Sequence, residues 1–266
     1  MSPRLFVCCV VLVLAGCPRK SDDAATLASQ VKTRLGERDR KLSGYGIAGT
    51  VKDEGMDAVP FTFEHRAPDR MRGALGAPAA RVFSWDGTHL FEQLDGEKRF
   101  TTFKSELPPA KLSGFLTETF SAFIPEGFRA PLLSHGATLR RVRHARAEEA
   151  VELSLSLGGE AKGVELVYVL RWPQLDFLDK RSRAPDGTEA EVRMEEEHCD
   201  AQLGLCVPKR LSRWLGGRKV GETVLTRVDL TKPPPNDAFT LVAPEGYDVK
   251  TRTLVEATEE NPPSGG

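Results

Sequence analysis

The sequence predicts a mainly β fold with helices, built on about ten or eleven antiparallel strands, and three observations carry that prediction. Apolar and polar residues alternate through much of the chain, as where Val59, Phe61 and Phe63 interleave with Pro60, Thr62 and Glu64. A period of two belongs to a strand with one buried and one wet face. Turn signals separate the runs, at Asp86-Gly87, Asp95-Gly96, Pro185-Asp186-Gly187 and Gly216-Gly217. A single central stretch departs from the pattern: Leu112, Phe115, Leu116, Thr119, Phe120 and Phe123 recur at spacings of three and four, which is a helix with an apolar face.

The chain opens on a segment to be set apart from the fold. Arg4, the apolar run from Leu5 to Gly16 and the small pair Ala15-Gly16 match the three regions of a secretory signal. The run is too short to cross a bilayer, which takes roughly 20 residues. Leu14-Ala15-Gly16-Cys17 resembles the lipobox of bacterial lipoproteins, in which the cysteine is acylated and cleavage falls before it; ordinary secretion is the alternative. Residues 1–16 are then a signal peptide, Cys17 is the lipidated first residue, and 17–23 form a tether. Several acyl chains, at about 0.8 kcal/mol per buried methylene, hold a protein where a single chain binds marginally.

From residue 24 to 249 no shift in composition marks a domain boundary. Asp22 and Asp23 can cap a helix in which Leu27, Val31 and Leu35 recur every fourth position. Strands begin near Tyr45. After the central helix, stopped by Pro125, residues Phe128 to His135 can form another turn or two before Gly136. Val151, Leu153, Leu155 and Leu157 share one face of a strand. Val164, Leu166, Tyr168, Leu170 and Trp172 share one face of the next, with Gly158-Gly159 opening the turn between them. Residues 250–266, which include EATEENPPSGG, have little to bury and read as a disordered tail.

Charge and cysteines narrow the classes. Basic and acidic residues number 37 and 38; loss of Arg4 with the signal leaves 36 against 38, a balance that gives no reason to expect nucleic acid. Once Cys8 and Cys9 leave and Cys17 is acylated, Cys199 and Cys206 remain, and in an oxidising compartment a close pair reads as a disulfide across two strands. A metal site of His198 with both thiolates is the rival, but it lacks a fourth ligand.

Other motifs fail on context. Gly44-Tyr45-Gly46-Ile47-Ala48-Gly49 fits a dinucleotide fingerprint but runs on into a strand, so its glycines read as relief for a curved strand. Gly158 and Gly163 have phosphate-loop spacing, with Val164 and Glu165 where lysine and a hydroxyl belong. His65, His89, His135, His144 and His198 show no metalloprotease spacing, no serine stands in a nucleophile elbow, and Glu195-Glu196-Glu197 reads as a solvated edge. Arg140, Arg141, Arg143 and Arg146 could meet anionic lipid headgroups or simply balance the acids that follow. Catalysis, metal and cofactor have no support in these patterns.

The stretch from Phe61 to Phe103 and through the central helix resembles the LolA/LolB lipoprotein-localisation superfamily, particularly its LolB-like lipoprotein branch. Pro68-Asp69-Arg70-Met71-Arg72 and Asp86-Gly87 occupy the places of that family's turn, strand and hairpin. Asp237, Phe239, Pro244 and Gly246 match the ending of LolA-type chains. The resemblance implies an incomplete antiparallel β-barrel, with an N-terminal helix and central helices as lid or plug, around a cavity for acyl chains. It also implies a membrane-engaging loop leucine at Leu75, for which ordinary burial is the alternative, and a lid-closing arginine at Arg70 or Arg72. Candidate cavity residues, chosen by face, are Phe61, Phe63, Val82, Phe115, Phe120, Phe123, Leu153, Leu166 and Tyr168. The expectation is therefore a lipid-anchored protein of the outer membrane, facing the periplasm, that binds acyl chains of lipids or lipoproteins. A structural lipoprotein that docks an envelope protein, its hollow filled by its own side chains, is the second expectation.

Overall fold

A computed structural model describes residues 24–78, 80–129, 138–157 and 163–255. The signal segment, Cys17, the expected caps Asp22 and Asp23, the turn at Gly158-Gly159 and most of the second central helix lie outside the described residues. No helix among the described residues is long and apolar enough to cross a membrane.

Helix α1 (Ala24–Lys41) buries Leu27, Val31 and Leu35 at the expected four-residue interval, and Arg38 extends the same stripe. Six strands follow: β1 (Gly44–Asp53), β2 (Val59–Arg66), β3 (Arg70–Leu75), β4 (Arg81–Trp85), β5 (His89–Leu94) and β6 (Arg99–Ser105). Helix α2 (Pro109–Ser121) carries proline at its first position, where the missing N–H costs nothing. Then come β7 (Thr138–Ala145), β8 (Ala150–Ser156), β9 (Glu165–Arg171), β10 (Phe177–Arg183), β11 (Glu189–Asp200), β12 (Leu205–Leu215), β13 (Arg218–Asp229) and β14 (Asp248–Leu254).

These strands form one sheet, in the order β14-β6-β5-β4-β3-β2-β1-β13-β12-β11-β10-β9-β8-β7. Two antiparallel meanders, β1 to β6 and β7 to β13, are sewn together by the β1–β13 pairing. The end strands β14 and β7 do not pair with each other, so the sheet is open. Within β1 a bulge falls between Ala48 and Gly49, where a Cβ on Gly49 would come within 2.2 Å of the Val224 carbonyl oxygen. That close approach is the curved-strand role read from the glycine run.

Two expectations need correction. Among the described residues the strands number fourteen, not ten or eleven. The disordered tail does not begin at 250: residues 248–254 pair in parallel with β6, and a hydrogen bond from the Asp248 N–H to the Lys98 carbonyl (2.8 Å) starts the register. Nearly all of β14 is exposed, so no alternation of apolar residues announces it.

The helices cover one face of the sheet and create two cores. On the β1–β6 half, Leu116 and Phe120 of α2 and Phe123 just past its end pack against Ile47, Phe61, Phe63, Met71, Trp85 and Leu90. On the β8–β12 half, α1 packs its stripe against Val151, Leu153, Leu155, Leu166, Tyr168, Leu170 and Phe177. The opposite face of β2–β4 is covered by the segment after β13. There Arg66 donates to the Pro234 carbonyl (2.6 Å), Arg72 to Ala238 (3.2 Å) and Ser84 to Phe239 (2.6 Å), and the Phe239 side chain is fully buried. Gly246, in the left-handed region, turns the chain into β14.

Candidate functional site

A cleft opens between the start of α2 and strands β1 to β3. It is a cleft of about 520 Å³, within the roughly 300–1,000 Å³ usual for small-molecule pockets. Leu42, Tyr45, Met71, Leu112, Leu116 and Phe128 supply apolar walls. The polar groups are His65, Arg129, Asp39 and Asp69.

Local structure sets these positions. Tyr45, His65 and Met71 sit opposite one another across β1, β2 and β3, so alternation turns all three to the helix-covered face. Leu112 and Leu116, one helical turn apart on α2, look down on them. Past the end of α2 the chain is pinned residue by residue. Glu126 accepts from the Tyr168 hydroxyl (3.1 Å) and from Lys180 Nζ (2.5 Å). Gly127 adopts φ +87° in a place where a Cβ would meet Pro208 Cδ at 2.7 Å and Phe177 Cβ at 2.8 Å, so glycine alone fits. Phe128 is buried, its ring 5.2 Å from that of Tyr45. Arg129 is thereby presented to the cleft.

The electrostatics of the cleft are those of a partly dry cation. Burial lowers the Arg129 pKa from its usual value, and among the described residues no carboxylate pairs with it. Its hydrogen-bond contact is Nη2 to the Met71 sulfur at 3.3 Å, a weak acceptor. Burial first, and then the Arg129 charge, hold the His65 imidazole at about 4, so it is neutral at pH 7, and its Nδ1 is buried with no partner among the described residues. Burial pushes the Tyr45 hydroxyl pKa upward. Such a site can bind and orient a ligand by apolar contact and a fixed positive charge.

The residues expected to line a cavity fall elsewhere. Phe61, Phe63, Phe120 and Phe123 are buried within the α2 core and Phe115 is half-buried against it, whereas Leu153, Leu166 and Tyr168 belong to the α1 core. None of the nine forms the cleft wall. Val82 lies on the far face of β4, in alternation with Phe83, whose ring packs 6.4 Å from Phe123; a one-residue difference in strand register reverses the face. Leu75 is the last residue of β3, half-buried against the α2 core. Arg70 and Arg72 alternate with Met71 and so point away from α2, and Arg72 anchors the segment at Ala238. The cleft residues Tyr45, His65, Phe128 and Arg129 escape sequence reasoning. The one available signal is Glu126-Gly127-Phe128-Arg129 just after the proline stop, an aromatic and a cation placed where a helix has ended.

Cys199 and Cys206 face each other across β11 and β12 and are joined in a disulfide, as expected. Glu197 approaches both sulfurs, but those sulfurs bond each other and are not thiolate ligands. In the arginine-rich strand β7, Arg143 pairs with Glu152 and Arg140 donates to Ser156 Oγ at 2.7 Å.

No family model and no curated protein sequence matches the chain. Solved structures do. The chain is similar to a LolA superfamily protein, NE2245, from Nitrosomonas europaea, with a TM-score of 0.50 and 13% identity over 79% of this chain and 97% of that one. It is similar to a domain assigned to an outer membrane lipoprotein-sorting protein of Vibrio parahaemolyticus, with a TM-score of 0.52 and 10% identity over 79% and 96%. A DUF1329 family protein from Desulfovibrio piger gives a TM-score of 0.51 and 9% identity over 79% and 97%. The chain has the LolA-superfamily fold.

Proposed function

We propose that this protein is a lipid-anchored periplasmic binding protein that takes up acyl chains of lipids or lipoproteins on the helix-covered side of an incomplete barrel. Its anchor is Cys17 and its seat the outer membrane. One observation carries the reading: the cleft under α2, with apolar walls from Leu42, Met71, Leu112, Leu116 and Phe128 and room for a small molecule. The fold likeness to a domain assigned to lipoprotein sorting supports it. The reading calls for no chemistry.

Magnitudes limit what the apolar walls alone can do. Each methylene taken from water contributes about 0.8 kcal/mol, so ten contribute about 8 kcal/mol. Association itself costs on the order of 4–15 kcal/mol. A greasy slot alone therefore binds weakly and reversibly, which suits transfer to a better apolar environment.

The second reading, a structural lipoprotein that docks an envelope protein, draws on the cores. Phe63, Phe120, Phe123 and Tyr168 are almost wholly buried, so most of the covered face is already filled by the chain's own side chains. Native mass spectrometry on a soluble form beginning after Cys17 separates the two. Stoichiometric retention of lipid supports the carrier. Failure with every lipid class tried, together with stoichiometric capture of a protein partner, supports the scaffold.

A further inference from the structure

Among the described residues, the cleft holds a guanidinium with no carboxylate partner. Glu126, the carboxylate nearest in sequence to Arg129, is already taken by Lys180 and the Tyr168 hydroxyl. Asp69, also in the cleft lining, accepts from Trp85 Nε1 at 3.2 Å. A guanidinium has five N–H donors in a planar fork suited to two oxygens of one anion, and here it meets a thioether. A partly desolvated cation in apolar surroundings gains most from a counter-ion that arrives with a ligand. The buried Nδ1 of His65 is a second polar atom without a partner among the described residues.

The pinned backbone makes this a prepared feature. Glu126 is held by two hydrogen bonds, Gly127 is wedged against Phe177 and Pro208, and Phe128 packs at a tilt against Tyr45, so Arg129 is offered from a fixed base. Around it run the apolar walls.

We propose that the cleft recognises an amphiphile with a single acyl chain and one oxyanion, carboxylate or phosphate, the anion bound by Arg129 and the chain lying along Leu42, Met71, Leu112 and Leu116. This rests on the acyl-binding reading and specifies its ligand class.

Titration calorimetry on the soluble mature chain, with palmitate, hexadecanol and inorganic phosphate as probes below their aggregation limits, tests it. The wild type is expected to prefer palmitate to hexadecanol by about tenfold or more, the worth of a charge-assisted hydrogen bond. Arg129→Gln is expected to lose that preference while keeping its hexadecanol affinity, and Arg129→Lys to retain part of it, which separates charge from packing. Phosphate alone is expected neither to bind at millimolar concentration nor to displace palmitate. Equal affinity for the two chains in the wild type, or a preference that survives in Arg129→Gln, overturns the inference and leaves acyl binding intact. Phosphate bound as tightly as palmitate overturns it in favour of a free-anion site. If neither palmitate nor hexadecanol binds, the acyl-binding reading falls as well.

Discussion

His65 shows what burial next to a cation does to one imidazole. Its folded pKa of about 4 lies below the ordinary 6.5, owing first to burial and then to Arg129, with a backbone hydrogen bond to Leu42 and the Asp69 charge opposing. Above pH 6.5 the imidazole is neutral in both folded and unfolded chains and contributes nothing to the pH dependence. As pH falls from 6.5 to 4 the unfolded chain takes up the proton and the folded chain does not, so stability falls. Below 4 the penalty levels off. The full difference, 6.5 less 4, corresponds to about 3 kcal/mol at most. Urea midpoints measured from pH 7.5 to 4.5 should therefore fall more steeply for the wild type than for His65→Gln; parallel profiles would show that this imidazole is not held neutral. At the same scale the sequence pattern put Val82 on the wrong face. Alternation along five residues of Arg81-Val82-Phe83-Ser84-Trp85 cannot decide which set faces in, because the opposite set is also covered: Ser84 is buried beneath Phe239.

At the scale of elements, the β11–β12 hairpin is tied both to itself and to its neighbours. Its disulfide joins residues in register. Arg38 of α1 donates to the Cys206 carbonyl at 2.8 Å, and Asp176 accepts the Cys206 N–H at 3.0 Å. Arg38 and Asp176 are themselves buried, 3.7 Å apart, so the helix, the β9–β10 turn and the cross-linked strand meet at one polar point. Replacing both cysteines by serine should cost about 2–3 kcal/mol of unfolding free energy in the chain-entropy account. An unchanged urea midpoint for that double variant would contradict it. The disulfide was legible because cysteine counting leaves a single pair. The stripes of α1 and α2 were legible because each helix buries one face. Strand β14 was not: Asp-Val-Lys-Thr-Arg-Thr-Leu is exposed along nearly its whole length at the sheet edge and is held by backbone pairing to β6, which leaves no hydrophobic trace.

Across the whole molecule, an open sheet of fourteen strands spends most of its apolar face on two helices. The aromatic residues that pattern alone would assign to a cavity instead build the two cores that hold α1 and α2 in place. A cleft opens at the margin where α2 begins and the chain leaves it, and there the side chains come from four separate places: the end of α1, strands β1 to β3, the face of α2 and the loop at Phe128-Arg129. Periodicity describes one element at a time, so a surface assembled from four of them is invisible to it. The fold class was therefore readable and the site was not.

The central claim is that an acyl chain lies in this cleft and not within either core. Methyl resonances recorded while the soluble chain is titrated with a fatty acid bearing a nitroxide near its chain end test that claim directly. Selective broadening at Leu42, Met71, Leu112 and Leu116, with Leu153 and Leu166 unaffected, is the predicted result; broadening centred on Leu153 and Leu166, or none at all at saturating probe, would contradict it.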